Sequence, residues 1–264
     1  MKAGLNLYSI RNLLKTEEEF MATALKLRDM GYSYIQASGC PYNPEAYRRI
    51  SEASGLPIYL THVPLDRIMN DTDALMEEHK VFGCKNIGLG SIPIMNLMAE
   101  DGTIDEKNCK ATIADLERVA AHMAENGFQF YLHNHHYEFM RMSNGERIFD
   151  YIVANAPHIN FTLDTHWVQY AGMDILATLD MLKGRIGCVH LKDYKVAKVQ
   201  KADQFEVRPL FERVGYGNID FKAVVPKMLE AGAEYFFVEQ DNAALLPDTL
   251  QQVEDSIKYI LAEL

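Results

Sequence analysis

Histidines and carboxylates gather in the second half of this chain, in four short stretches that each follow an apolar run. The stretches hold His133, Asn134, His135 and His136; Asp164, His166 and Trp167; His190 and Lys192; and Glu239 and Asp241. Imidazole and carboxylate ligands together favour Mn²⁺, Mg²⁺, Co²⁺ or Zn²⁺ over soft-metal chemistry. Such an ion polarises a carbonyl and stabilises an enediolate. These stretches therefore predict one divalent-metal site, provided that the fold brings them together.

The spacing within the stretches indicates which side chains face the same way. Residues two apart on a strand share a face, so His133 and His135 form one pair and His190 and Lys192 another. A single histidine at a strand end is more often a hydrogen-bonding residue than a ligand. The hypothesis of a metal site therefore rests on the convergence of all four stretches.

The elements that position these residues repeat one pattern, in which an amphipathic helix is followed by a glycine and a short apolar run. Glycine takes the left-handed conformation that ends a helix at little cost. The pattern predicts strands over 3–8, 32–38, 57–63, 85–89, 128–135, 159–164, 186–191 and 234–240. It predicts helices over 17–30, 44–54, 71–82, 105–125, 145–155, 173–182, 219–231 and 248–263. Capping signals are expected at Thr16, Asn43, Thr103 and Asp248.

Eight β–α units at a spacing of ~30 residues predict parallel strands joined by helical crossovers, closed into a (β/α)₈ TIM barrel. We expect one domain over residues 1–264. An open doubly wound sheet is disfavoured, because the first turn, YSIRNLLK, lacks the glycines of that fold. In a barrel all strand ends meet at one mouth, which supplies the required convergence. The longest irregular piece, 192–218, is expected to lie over that mouth.

Composition narrows the class of protein. The 264 residues carry a net charge of −11, which argues against a nucleic-acid partner, because binding phosphates needs a basic surface. The N-terminus lacks the apolar region of a signal peptide, and the chain has no run of about 18 apolar residues. We expect a cytoplasmic protein with free cysteines, no membrane partner and a possible homo-oligomeric state. The lack of a dinucleotide-binding fingerprint disfavours a stand-alone dehydrogenase.

Several strings occur in one order along the chain, namely YIQASG, THVPLD, HNHHYEF, LDTHWVQYAGMD, VHLKD, GYGNID and VEQD. Together they resemble the sugar-phosphate isomerase/epimerase family of xylose-isomerase-like barrels. The final EQD also resembles inosose dehydratases. The resemblance implies one divalent ion held by Asp164, His190 and Glu239. The family's strand-five glutamate is absent, and His133 stands at its position as the expected fourth ligand.

The remaining side chains receive roles around that ion. His135 is the expected base, although it could instead hold substrate or support a ligand. Glu239 and Lys192 are further catalytic candidates, and Lys192 could alternatively pair with Asp193. Glu138 could support an imidazole or could be a solvated loop acid. Substrate contacts are assigned to His62, Asn134, His166, Trp167 and Asp241, and surface positions to His79, His122 and His158.

Three functions follow, all with a small sugar or polyol as ligand. The first is a metal-dependent isomerase or epimerase of a ketose or related polyol. Epimerases of the resembled family use two glutamates as paired proton carriers, and His133 replaces one of them here. A dehydratase or other lyase acting on a keto-sugar or keto-inositol is therefore the second hypothesis. The third is a non-catalytic sugar-binding or partner subunit. A metal-dependent endonuclease of the same broad fold is disfavoured by the charge.

Overall fold

The apolar runs between helices form the eight strands of a closed parallel barrel, which confirms the predicted fold. The computed structural model describes residues 1–201 and 204–264. The barrel strands are β1 (Gly4–Asn6), β2 (Tyr34–Ala37), β3 (Ile58–His62), β4 (Asn86–Leu89), β5 (Gln129–His133), β6 (Ile159–Asp164), β7 (Ile186–Leu191) and β10 (Tyr235–Val238), and a separate two-stranded sheet consists of β8 (Asp193–Lys201) and β9 (Gln204–Glu212). Around the barrel the strand order is β1-β10-β7-β6-β5-β4-β3-β2, and all eight pairings are parallel.

Helices cover the outside of the barrel and bury their apolar faces against it. They are α1 (Glu17–Met30), α2 (Pro44–Ser54), α3 (Leu65–Asn70), α4 (Thr72–Val81), α5 (Glu106–Glu125), α6 (Ile148–Asn155), α7 (Thr165–Tyr170), α8 (Ile175–Met181), α9 (Phe221–Ala231) and α10 (Thr249–Glu263). Among the described residues, no helix is long and apolar enough to cross a membrane. All four cysteines are free.

Local sequence signals set most helix ends. Thr16 and Asn43 accept hydrogen bonds from the third residue after them, as predicted for N-caps. Gly31 has a φ of 107° at the end of α1, a conformation that a side chain would strain. The cap of α5 was predicted at Thr103 but is Asp105, whose side chain accepts from the Asn108 amide. Asp105 lies directly before the first helical turn, whereas Thr103 is two residues too early.

Two segments differ from the predicted helices. The helix expected over 71–82 is preceded by a separate helix, α3, which ends one residue before Asp71. The short helix α7 begins directly after β6 and was not predicted. Asp164 starts α7 because its Oδ1 accepts the Trp167 amide at 2.9 Å. A side chain assigned as a metal ligand thus also caps a helix.

The stretch 192–218 is mostly regular rather than irregular. Strands β8 and β9 pair antiparallel from Asp193↔Glu212 to Lys201↔Gln204 and form a hairpin after β7. Residues 202 and 203 of the predicted irregular stretch lie outside the described residues. The hairpin escaped prediction because lysines and a proline interrupt its apolar alternation, so no continuous strand signal was visible.

The interior of the barrel is layered, and this layering creates the site. One buried cluster consists of Tyr34, Leu60, Tyr131, Cys188 and Phe237, one residue from each of five strands. The residue two positions later on a strand faces the same way and lies one layer nearer the carboxyl ends. Those residues are Gln36, His62, His133, His190 and Glu239. An apolar layer thus supports a polar layer directly above it.

His79 corrects one prediction of a surface position. Its side chain is buried, with Nε2 2.8 Å from Thr61 Oγ1 and Nδ1 2.7 Å from the Leu75 carbonyl oxygen. The histidine therefore links α4 to β3 as a satisfied core residue. His122 and His158 are exposed as predicted and pair with Asp73 and Glu117.

Candidate active site

Four predicted ligands meet at the centre of the polar layer. One donor atom from each of His133, Asp164, His190 and Glu239 lies within 4.8 Å of the others, and all four residues are buried. His133 Nε2 is 3.2 Å from Asp164 Oδ2, and His190 Nδ1 is 2.7 Å from Glu239 Oε2. Strands β5, β6 and β7 and the end of β10 therefore supply one compact set of two imidazoles and two carboxylates.

Hydrogen bonds on the outer side of each imidazole orient its inner nitrogen. His133 Nδ1 lies 2.8 Å from the carbonyl oxygen of Gly90, which can only accept, so this nitrogen carries the hydrogen. His190 Nε2 lies 2.7 Å from Gln36 Oε1 and is a donor for the same reason. With a cation bound, the inner nitrogens, His133 Nε2 and His190 Nδ1, would present lone pairs to the centre. Metal-binding histidines characteristically have this arrangement.

The contact between His190 and Glu239 also fits a shared ion. Despite the 2.7 Å separation from Glu239 Oε2, His190 Nδ1 lacks a hydrogen-bond partner of acceptable geometry within the described part of the chain. The other carboxylate oxygen, Glu239 Oε1, accepts from Asn6 Nδ2 at 2.9 Å, which fixes the carboxylate plane. Two acceptor atoms face each other at close range, as two ligands of one cation do.

Lys192 is the cation that the structure places among these carboxylates. Its Nζ lies 3.3 Å from both Asp164 Oδ2 and Glu239 Oε2 and 2.7 Å from Asp241 Oδ1. Burial opposes the ammonium charge, but the three carboxylates prevail and raise the pKa of Lys192. The alternative pairing with Asp193 is wrong, because the Asp193 carboxylate accepts four backbone N–H groups instead.

Burial and neighbouring charges together set the ionisation of the converging residues, and they also lower the pKa of the Asp164 carboxyl, where Lys192 and His133 outweigh burial. Burial works against ionisation of Glu239, but Lys192 and His190 lower the pKa of this carboxyl well below its usual range. Burial also opposes protonation of His133, yet the Asp164 hydrogen bond and the Glu239 charge raise the pKa of this imidazole. For His190 burial dominates and lowers the pKa. The carboxylates are therefore ionised and ready to bind a cation at neutral pH.

A cavity of about 480 Å³ opens above this set at the carboxyl ends of the strands. Its lining includes five predicted site residues besides the ligand His133, namely His62, His135, Lys192, Glu239 and Asp241. Sequence reasoning missed Tyr8, Ser38 and Ser91, which also line the cavity, and Gln36 and Asn6 beneath it. Gln36 and Ser38 lie in the YIQASG string, whose alternation could have identified them.

His135 is an uncommitted imidazole beside the set. Its ring centroid is 4.7 Å from that of His133, and it stacks on Tyr137 with an interplanar angle of 9°. The buried Nδ1 has no hydrogen-bond partner among the described residues. Burial and the neighbouring His133 lower the pKa of His135, so the ring is neutral at ordinary pH. A neutral imidazole with a free nitrogen can accept a proton.

The other predicted substrate contacts surround the set less directly. His62 lies on the cavity wall, with Nε2 3.0 Å from Gln36 Nε2. Asn134 is fully buried, and its Oδ1 accepts the Asp164 amide at 3.0 Å. The His166 ring packs edge-on against Trp167 and also against the hairpin aromatics Tyr194 and Phe211.

Glu138 supports the backbone of His135 rather than an imidazole. The fully buried carboxylate accepts the His135 amide at 2.7 Å through Oε2, and Oε1 has no hydrogen-bond partner within the described ranges. Burial raises the pKa of Glu138 to about 7. The Glu138 carboxyl therefore stays protonated up to a pH of about 7.

Replacing Glu138 with glutamine is expected to change how stability depends on pH. Between pH 4.5 and 7 the unfolded chain ionises this acid first, so the free energy of unfolding of the wild type falls as pH rises. The difference between the pKa of Glu138 in the unfolded chain, 4.5, and in the folded protein, about 7, corresponds to about 3 kcal/mol of unfolding free energy. In Glu138→Gln this loss is absent. Urea unfolding at several pH values measures it, with exposed Glu125→Gln as the control. Parallel pH profiles of Glu138→Gln and the wild type would contradict this assignment.

Lys192→Met is expected to destabilise the protein strongly when divalent ions are absent. The change leaves two buried carboxylates, Asp164 and Glu239, and the half-buried Asp241 without their cation, and loss of one partner of a buried pair typically costs about 3–5 kcal/mol. Added Mn²⁺ should restore much of the loss, because the same carboxylates then surround a cation. Urea unfolding with EDTA and with Mn²⁺ tests both effects, and exposed Lys183→Met is the matched control. Equal stability of Lys192→Met and the control in EDTA would count against the buried network.

Several solved structures share this fold. A sugar phosphate isomerase/epimerase of Parabacteroides distasonis is 19% identical, with a TM-score of 0.75, over 99% of this chain and 94% of that chain. A probable 3-DHS dehydratase of Bacillus anthracis is 11% identical, with a TM-score of 0.70, over the whole of both chains. At these identities the similarity establishes the barrel and its topology.

Sequence comparison gives a curated relative and a family match. The chain is 24% identical to an inosose dehydratase of Clostridium perfringens over 166 residues, which are 60% of this chain and 55% of the relative. The match thus spans little more than half of that relative's length. A family model described as xylose isomerase-like TIM barrel matches residues 25–263. The chain therefore belongs to the xylose isomerase-like TIM barrel family.

Proposed function

We propose that this chain is a divalent-metal-dependent isomerase or epimerase that acts on a ketose or related polyol through an enediolate. One observation carries the proposal, namely a set of two imidazoles and two carboxylates with a free imidazole beside it. Abstraction of a proton next to a carbonyl needs a cation near the oxygen and a base near the carbon. The family relationship and the solved structures named as epimerase or dehydratase support chemistry on a sugar or polyol.

The residues that would hold the ion are His133, Asp164, His190 and Glu239. Mixed nitrogen and oxygen ligands suit Mn²⁺, Mg²⁺, Co²⁺ or Zn²⁺. When bound, a divalent ion supplies Lewis-acid polarisation of the substrate carbonyl. The protein contributes the orientation of the set. Gly90 and Gln36 hold the two imidazoles, and Asn6 holds the Glu239 carboxylate.

His135 is the proposed base. It is neutral, lines the cavity and is 4.7 Å from His133 between ring centroids. Negative charge that develops on the substrate raises the proton affinity of the ring as the proton transfers. Return of the proton to the neighbouring carbon, with transfer of the hydroxyl proton to the former carbonyl oxygen, completes an isomerisation. Epimerisation needs a second proton carrier on the opposite face, and Glu239 is the candidate for it.

Lys192 and the predicted substrate contacts would orient the polyol. The Lys192 ammonium is charged and lies at the cavity floor, where it can polarise a substrate oxygen. His62 and Asp241 offer hydrogen-bonding groups to hydroxyls on the wall. We assign His166 and Trp167 to substrate contacts beside the hairpin. Asn134, which is fully buried and accepts the Asp164 amide, would instead position that ligand. Cytoplasmic location and self-association stay predictions from the sequence.

A dehydratase is the second candidate, and the histidine at position 133 favours it. Elimination next to a ketone needs one base for the α-proton and an acid for the departing hydroxyl, not two opposed carboxylates. Asp241, whose pKa is raised mainly by burial, lies 2.7 Å from Lys192 and could supply that acid. The curated relative is itself named as an inosose dehydratase.

Product mass separates these reactions. The metal-loaded protein is incubated with ketoses, inososes and 3-keto-glycosides, and products are analysed by mass spectrometry and chromatography. An isomer or epimer has the mass of its substrate, whereas dehydration removes one water. No conversion of any substrate by protein of verified metal content would overturn both reactions and favour a non-catalytic binding subunit.

A further inference from the structure

We infer that the cavity selects an uncharged substrate and excludes phosphorylated sugars. The inference rests on the proposed function only in taking this cavity as the substrate site. The inference is based on two features. The first is the balance of charge around the cavity, and the second is that the N–H groups of the glycine-rich loop 215–219, in the connection after β7, are already hydrogen-bonded within the chain. A phosphate ester carries up to two negative charges at neutral pH and needs cations or free N–H groups to replace its water.

The charge around the cavity is unfavourable for an anion. Of the described residues that line it, Lys192 is the one lysine or arginine, while Glu239 and Asp241 are anionic. Asp164 adds a third carboxylate beneath the floor, 3.3 Å from the same ammonium. Three carboxylates against one ammonium leave an excess of negative charge at the floor. The Arg11 guanidinium, beside the lining residues Tyr8 and Asp241, donates to their backbone carbonyl oxygens at 2.7 and 3.1 Å. The ammonium already contacts all three carboxylates, at 2.7–3.3 Å, so a phosphate would have to compete with them for it.

A bound divalent ion would not reverse this balance. Its two charges and the Lys192 charge together equal the three charges of Asp164, Glu239 and Asp241. The occupied site would therefore be close to neutral. A neutral site can bind hydroxyl and carbonyl oxygens by hydrogen bonds, but it provides no net positive charge to balance a dianion.

The loop that could cradle a phosphate is filled by the chain itself. Barrels often bind phosphate at the loops after strands seven and eight, through backbone N–H groups. Here the amides of Tyr194, Gly215, Gly217 and Ile219 all point to the Asp193 carboxylate, at 2.8–3.2 Å. A β-carbon at Gly217 would lie 2.3 Å from Asp193 Oδ1, so the glycine is needed for this approach. These four N–H groups are therefore already bonded within the chain and are not free to bind a phosphate.

The chain after β10 offers no substitute cradle in the part that the structure describes. The amide of Glu239 donates to the Leu191 carbonyl at 3.1 Å, and that of Gln240 donates to Ser9 Oγ at 3.0 Å. The next side chain, Asp241, brings a further carboxylate to the rim. Both usual phosphate-binding positions of a barrel are therefore committed to internal contacts or carry negative charge.

Binding of matched, non-reacting ligands tests the inference without relying on turnover. Isothermal titration of the Mg²⁺-loaded protein compares D-glucitol with D-glucitol 6-phosphate, at fixed free Mg²⁺ and ionic strength. We expect the Kd of the phosphate ester to exceed that of the polyol by more than ~10-fold, since like charges a few ångströms apart repel strongly in a partly buried site. Equal or tighter binding of the ester, or no binding of either ligand, overturns the inference.

A charge variant tests the cause of the selectivity. Asp241→Asn removes one carboxylate from the rim, so the ratio of the two Kd values should fall about three- to tenfold. An unchanged ratio overturns the electrostatic explanation. Failure of the proposed reaction is a separate result, because it would appear as absence of product while the difference in binding persists.

Discussion

Asp164→Asn is expected to remove bound metal and all activity while the barrel stays folded. The two oxygens of Asp164 have different tasks. Oδ1 caps α7 through the Trp167 amide, and Oδ2 lies 3.2 Å from His133 Nε2 within the donor set. Asparagine retains an oxygen for the cap but loses the anionic ligand. Losing a direct ligand should weaken metal affinity by more than ~10²-fold, because loss of an outer-sphere partner alone costs 10–100-fold.

Elemental analysis of protein purified without chelator measures this effect, beside circular dichroism and thermal unfolding. Asp174→Asn is the matched control, since Asp174 also caps a helix through its carboxylate but lies outside the site. The control should retain metal and activity. Equal metal in wild type and Asp164→Asn, or no metal in either, would refute the proposed ligand set.

His135→Ala and His133→Ala are expected to fail in different ways. His133 presents its inner lone pair to the donor set, so alanine at this position should reduce both metal content and proton exchange. His135 is outside the set and has a free nitrogen, so its loss should leave the metal largely in place. Removal of a general base typically lowers the rate by about 10²–10⁴-fold.

Exchange of the substrate α-proton with deuterium in the solvent separates the two variants when it is run beside metal analysis. The exposed His122→Ala is the control for loss of an imidazole and should behave as the wild type. Exchange at the wild-type rate in His135→Ala, with metal present, would assign the base to Glu239 or Lys192. Loss of metal from His135→Ala would instead place this imidazole among the ligands.

The sequence was most informative where function depends on short-range alternation. Residues two apart share a face of a strand, which correctly paired His190 with Lys192 and His133 with His135. Strand order was not needed to predict convergence, because every strand of a barrel ends at the same mouth. The four predicted ligands could therefore be grouped without knowing any distance between them.

Contacts between segments that are far apart in the sequence could not be predicted from the alternation along single strands. The burial of His79 depends on Thr61 of a neighbouring strand, and the partners of Lys192 come from β6 and from the chain after β10. Sequence patterns report the environment along one element, whereas these contacts depend on how elements lie against each other. The hairpin β8–β9 was missed for the same reason, since its strands are recognisable chiefly through their pairing with each other.

By itself, the sequence determined the barrel, the end of the barrel where the candidate site lies and the residue types available there. These features follow from local periodicity, glycine stops and the alternation of strand faces. Only the tertiary structure decided which atoms of those groups carry protons and which partners they contact. Gly90 and Gln36 select the imidazole nitrogen that faces the centre, and Asp193 fills the glycine loop. Hydrogen-bond partners and burial set proton positions and charge, and they exist only once distant segments have packed.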